Sequence, residues 1–173
     1  MTVSLQRIAE RYGAMFEASP ATTTHTARFL SQADLWPRPG SGKRTAEITI
    51  SPSQAVNMAL ALAIDVPVHA AGLVTAFRGL HGGGGILGNA LDAMIETPPA
   101  EHADLVMTVR PCLAATIVLS VVEGATTRRT ITNYGEQPQS TCLYLRIFDI
   151  GVLAAIWSAS LPENKSHLSA FCR

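Results

Sequence analysis

Ala46-Glu47-Ile48-Thr49-Ile50-Ser51-Pro52-Ser53-Gln54 holds two different patterns back to back. From Ala46 to Ile50 apolar and polar residues alternate, which predicts a short strand. From Ser51 to Gln54 the sequence places Ser at the N-cap, Pro at the first helical position and Gln at the third. That is a capping box, with proline where its fixed φ and missing N–H cost nothing. The helix it opens is expected to bury Val56, Ala59, Leu60 and Ala63.

Upstream, Pro37-Arg38-Pro39-Gly40-Ser41-Gly42-Lys43 cannot be helical. Before it, a helix with Phe29, Leu30 and Ala33 on its apolar face runs on to Leu35 and Trp36. Its start is expected near Thr22, Thr23 and Thr24, any of which can serve as N-cap. A first helix over residues 4–18 carries Leu5, Ile8, Tyr12, Met15 and Phe16 at helical spacing, and Ser19-Pro20 is read as its stop.

Downstream, Pro67 separates the capped helix from another at about 68–80, and His81-Gly82-Gly83-Gly84-Gly85 reads as a flexible hinge. A helix over about 86–96 carries Ile86, Leu87, Ala90, Leu91 and Met94, and Pro98-Pro99 closes the helical half. Then the composition changes. Leu105–Val109, Ala114–Val122, Thr127–Asn133 and Thr141–Phe148 are rich in β-branched and aromatic residues and are separated by turn signals. This spacing predicts an antiparallel meander. Asp149 is placed as the N-cap of a last helix, with Ile150, Leu153, Ile156 and Trp157 on the face that covers the sheet. The expected fold is therefore α+β: an N-terminal winged helix-turn-helix over 1–66, bridging helices over 67–100, an antiparallel sheet plus covering helix over 101–162, and a polar tail over 163–173.

The 173 residues carry 13 basic and 13 acidic side chains, so net charge gives no general attraction to nucleic acid. The charge is unevenly distributed, however. From Arg28 to Arg44 the cations Arg28, Arg38, Lys43 and Arg44 face the single acid Asp34. Asp92, Glu96, Glu101 and Asp104 follow later and read as a solvated acidic face. Cys112, Cys142 and Cys172 are far apart, and His69, His81, His102 and His167 are scattered, so neither zinc nor any other metal or cofactor is expected. The N-terminus has no apolar signal core, and the run Val56–Ala76 is broken by Asp65, Pro67 and His69. The expected compartment is cytoplasmic, with no membrane partner.

In a winged helix the second helix lies in the major groove and the wing lies against a phosphate strand. Here that helix would present Thr22, Thr23, Thr24, His25 and Arg28, and the wing Arg38, Lys43 and Arg44. Hydroxyls and imidazole can bond phosphates or base edges, and arginine can fork to guanine O6 and N7. The plainer alternatives are a threonine cap with solvated neighbours, a surface histidine and an arginine paired with a carboxylate.

The run Arg28-Phe29-Leu30-Ser31-Gln32-Ala33-Asp34-Leu35-Trp36-Pro37-Arg38, followed by a Gly/Arg wing and a capped helix, resembles the winged helix of MerR-type regulators. The chain also resembles bacterial phage and prophage proteins that join such a module to a β-rich part. The resemblance covers residues 4–64. It departs from the family at the end of the wing, where Arg44-Thr45-Ala46-Glu47 replaces Tyr-Arg-x-Tyr, and it lacks the long dimerisation coiled coil. It implies a DNA-binding shape, a double-stranded DNA partner, transcription regulation and a homodimer on paired half-sites. The alternative is an adaptor or inhibitor that docks on a host protein without binding DNA.

Enzymatic function is not expected. Gly40-Ser41-Gly42-Lys43-Arg44-Thr45 lacks the first glycine of a phosphate loop, where Pro37 stands, and the hydroxyl after the lysine, where Arg44 stands. His81-Gly82-Gly83-Gly84 resembles an oxyanion-hole sequence, but there is no Gly-x-Ser-x-Gly elbow to supply a nucleophile.

Overall fold

The computed structural model describes residues 5–38, 49–83, 85–109, 112–123, 125–136 and 145–161. Helix α1 spans Leu5–Met15 and buries Ile8, Ala9, Tyr12 and Gly13, the face its periodicity predicts. Its end differs from expectation. Glu17 takes a left-handed φ of 54°, Glu17 N–H donates to Ala14 O, and Ala18 N–H donates to Gly13 O at 2.9 Å. This is a Schellman closure with an acid where glycine is usual. Ser19-Pro20 is therefore a start signal, not a stop. Ser19 caps helix α2 (Pro20–Gln32) by accepting from Thr22 N–H at 3.1 Å, and Pro20 occupies the first turn.

Helix α2 closes the same way. Asp34 has φ 57°, Asp34 N–H donates to Ser31 O, and Leu35 N–H donates to Leu30 O. The turn returns the chain so that Trp36 is buried, with its ring edge-on to Tyr12 at 5.9 Å. Helices α1 and α2 pack closely at Gly13, where any β-carbon would collide with the Thr23 side chain.

Helix α3 (Pro52–Ile64) has the predicted capping box, with Ser51 and Gln54 bonded reciprocally. Every residue from Ala55 to Ile64 is buried. The expected single apolar face is thus only part of its buried surface, because α3 runs through the centre and touches α1, α2, α4, α5 and α6. Its one polar interior residue is used structurally: Asn57 Nδ2 donates to Leu35 O at 2.9 Å and pins the turn after α2. Just before α3, Ile50 O accepts from Trp157 Nε1 at 2.8 Å. Thr49 and Ile50 are irregular; the rest of the expected strand, Ala46–Ile48, lies outside the described residues.

A 3-10 turn at Pro67–His69 leads into α4 (Ala70–Arg78), and α5 spans Leu87–Glu96. Arg78 grips Asp92 through two hydrogen bonds of 2.9 and 2.7 Å, which ties α4 to α5. Asp92 is therefore a structural partner, not part of a solvated acidic face. Between these helices the glycine run forms structure. Strands β1 (His81–Gly82) and β2 (Gly85–Ile86) pair with each other, and Gly82 pairs with Tyr134. Glycine is required at 82 because a β-carbon there would strike the Asn133 carbonyl.

Strands β3 (His102–Thr108), β4 (Ala114–Glu123), β5 (Thr126–Gly135) and β6 (Leu145–Asp149) complete a six-stranded sheet of order β2-β1-β5-β4-β3-β6, with every pairing antiparallel. The meander holds for β3, β4 and β5. The last strand does not extend it; β6 returns to the far side of β3. Helix α6 (Ile150–Ser158) then starts at Asp149, whose carboxylate caps Gly151 and Val152 as predicted.

One face of the sheet lies on the helices, with Ala103, Leu105, Met107, Ala115, Ile117 and Tyr134 in the core. Phe16, just after α1, stands edge-on to Phe148 on β6, and Arg11 Nη1 on α1 donates to Ala159 O at the end of α6. No described helix is long and apolar enough to cross a membrane.

Candidate nucleic-acid interface

Helix α2 has two sides with different duties. Thr23, Thr26, Leu30 and Ser31 are buried against the rest of the molecule. The opposite side carries Ala21, Thr24, His25, Arg28 and Gln32, all exposed. At about 100° per residue these five positions fall within an arc of about 100°. The arc begins in the first turn of α2, directly after the loop joining α1 to α2.

The expected contact residues divide accordingly. Thr23 is buried, and its hydroxyl donates to Ser19 O at 3.0 Å, so it faces α1 and not solvent. The Thr22 hydroxyl sits 3.0 Å from Ser19 Oγ within the cap. Thr24 is exposed, with its hydroxyl turned back to Pro20 O at 2.8 Å. His25 and Arg28 stand in solvent, and Arg28 has no ion-pair partner among the described residues. Arg38 folds back on the end of α2, where Nη2 meets Asp34 at 2.7 Å and Nε donates to Ser31 O. This ion pair is largely solvated, so it holds the side chain only weakly. Lys43 and Arg44 lie outside the described residues. The fold thus gathers Thr24, His25 and Arg28 on one surface, with Gln32 as a fourth polar side chain that the helical spacing alone could have added.

Two further groupings lie on the sheet. Arg128 and Arg129 point to opposite faces of β5, so they make no joint basic patch. Arg128 lines a shallow groove of about 260 Å³ with Glu101, Leu119, Val121, Glu123 and Thr130. On the other face, His102 lies between two carboxylates, 3.2 Å from Asp104 and 3.4 Å from Asp149. His102, Asp104 and Asp149 become a cluster only because β6 pairs with β3. Among the described residues no group of three ligand side chains could hold a metal ion.

In the core, Tyr12 Oη is buried with no well-formed hydrogen bond among the described residues, and Ser160 is the polar neighbour that favours its ionisation. Burial outweighs that neighbour and pushes the phenol pKa up, so Tyr12 stays neutral and serves as packing. Comparison of the chain with family models, with curated proteins and with solved structures gives no match, and the reading of α2 rests on its own residues.

Proposed function

We propose that this chain binds duplex DNA as a sequence-specific regulator, with the exposed arc of α2 entering the major groove. One observation carries the reading: Thr24, His25, Arg28 and Gln32 stand together on the solvent side of a helix whose other side is fixed against α1 and α3. A reading helix needs that combination of a rigid back and a polar front. Arg28 is the residue proposed to fork to a guanine edge, with His25, Thr24 and Gln32 beside it. Arg38 is proposed to leave Asp34 for a phosphate, followed along the chain by Lys43 and Arg44.

The test is fluorescence anisotropy with random-sequence duplex DNA over a salt series, then with a selected site. Affinity is expected to fall linearly on a log–log salt plot. Arg28→Ala is expected to weaken the selected site by about 1–3 kcal/mol, and Lys43→Ala to weaken all sequences alike with a shallower salt slope. Absence of binding at low salt would sink the proposal. That outcome would leave the second reading, an adaptor docking on another protein, which the zero net charge favours.

A further inference from the structure

The sheet face turned away from the helices has an unusual make-up. Antiparallel sheets commonly leave one face in water, but such a face is normally polar. Here Val106, Val118, Val122 and Ile131 all point outward, and none belongs to the hydrophobic core. Val122 and Ile131 are 75% and 60% exposed. Between them lie small hydroxyl and amide side chains, with Thr116 and Asn133 bonded to each other at 2.9 Å.

Charge on this face is segregated by strand. Arg129 stands on β5, at one margin. Asp104 and Asp149 stand directly opposite each other on β3 and β6, at the other margin, with His102 between them. A face used by two identical copies must complement itself, and opposite signs flanking an apolar centre meet that condition. A lipid surface or a nucleic acid would call for one positive sign throughout.

We infer that this outer face packs on the same face of a second copy of this chain, with Arg129 of each copy meeting the acidic pair of the other. The register supports the fit. Arg129 pairs with Ser120 and Ser120 with His102, so Arg129 lies level with His102, next to Asp104 along the same face. A two-fold axis parallel to β4 lays β5 over the partner's β3 at the same level. Arg129 then descends beside the partner's Asp104, and Val118 and Val122 meet their own copies along the axis. Sheets stacked face to face lie about 10 Å apart, within the reach of an arginine side chain. The inference is independent of DNA binding, and its test uses no DNA.

Sedimentation velocity on the full chain from about 1 to 100 µM is expected to show a monomer–dimer equilibrium. Ile131→Asp and Arg129→Glu should each weaken it by about tenfold or more. Both positions are exposed, so circular dichroism should show unchanged folding. The charge-exchanged double variant Arg129→Glu with Asp104→Lys should recover most of the association. A monomer throughout the range would overturn the inference, as would a dimer indifferent to both single changes. Failure of the double variant to recover would overturn the crossed charge pairing.

Discussion

Helix α3 and strand β5 are opposites. In α3 every residue from Ala55 to Ile64 is buried, whereas in β5 the residues from Thr126 to Ile131 are all exposed. Both are regular, hydrogen-bonded elements, so their difference lies in side-chain surroundings and not in backbone order. The described residues are therefore held together around α3, while this part of β5 offers exposed side chains on both faces of the sheet.

The sharpest way to break this contrast is to truncate one residue in each element. Leu60→Ala in α3 is expected to destabilise the protein by about 2–5 kcal/mol, since it removes buried methyl groups and leaves a cavity. Ile131→Ala in β5, measured at a concentration where the chain is monomeric, should change stability by less than about 0.5 kcal/mol. Urea unfolding of the two variants measures both. Comparable losses would mean that the exposed strand shares the core.

A smaller effect is expected where α1 meets α2. Gly13→Ala forces a methyl group into the Thr23 side chain and should cost about 1–3 kcal/mol in the same unfolding experiment. An unchanged denaturation midpoint would show that the helices can separate freely. The smallest effect should have the opposite sign. Glu17 holds a left-handed conformation that glycine adopts without a steric cost, so Glu17→Gly should stabilise by about 0.5–1 kcal/mol and raise the thermal midpoint. A lowered midpoint would mean that the Glu17 side chain makes a contact outweighing its strain.

Some of this was legible before any coordinates. The capping box at Ser51 and the carboxylate cap at Asp149 are local chemistry, and local chemistry survives folding. The helix stops were not legible, because Glu17, Asp34 and Asp65 occupy left-handed positions where the usual signal is glycine. The glycine run after α4 reads as a hinge because a two-residue strand has no period, and its partner Tyr134 is distant in sequence. The position of β6 beside β3 was hidden for the same reason. The exposed arc of α2 was half legible. Helical spacing brings Thr24, His25 and Arg28 together, but a start among the three threonines is later than Pro20 and leaves Thr23, which is buried, on the exposed side.

The bond from Trp157 to the carbonyl of Ile50 joins residues 107 positions apart, which has a meaning for synthesis. At about 5–20 residues per second, a ribosome needs roughly 5–20 s to reach the tryptophan after making the isoleucine. During that interval the apolar α3 has emerged while α6, which covers part of it, does not yet exist. A nascent chain of this kind offers a greasy segment to any chaperone stationed at the exit tunnel.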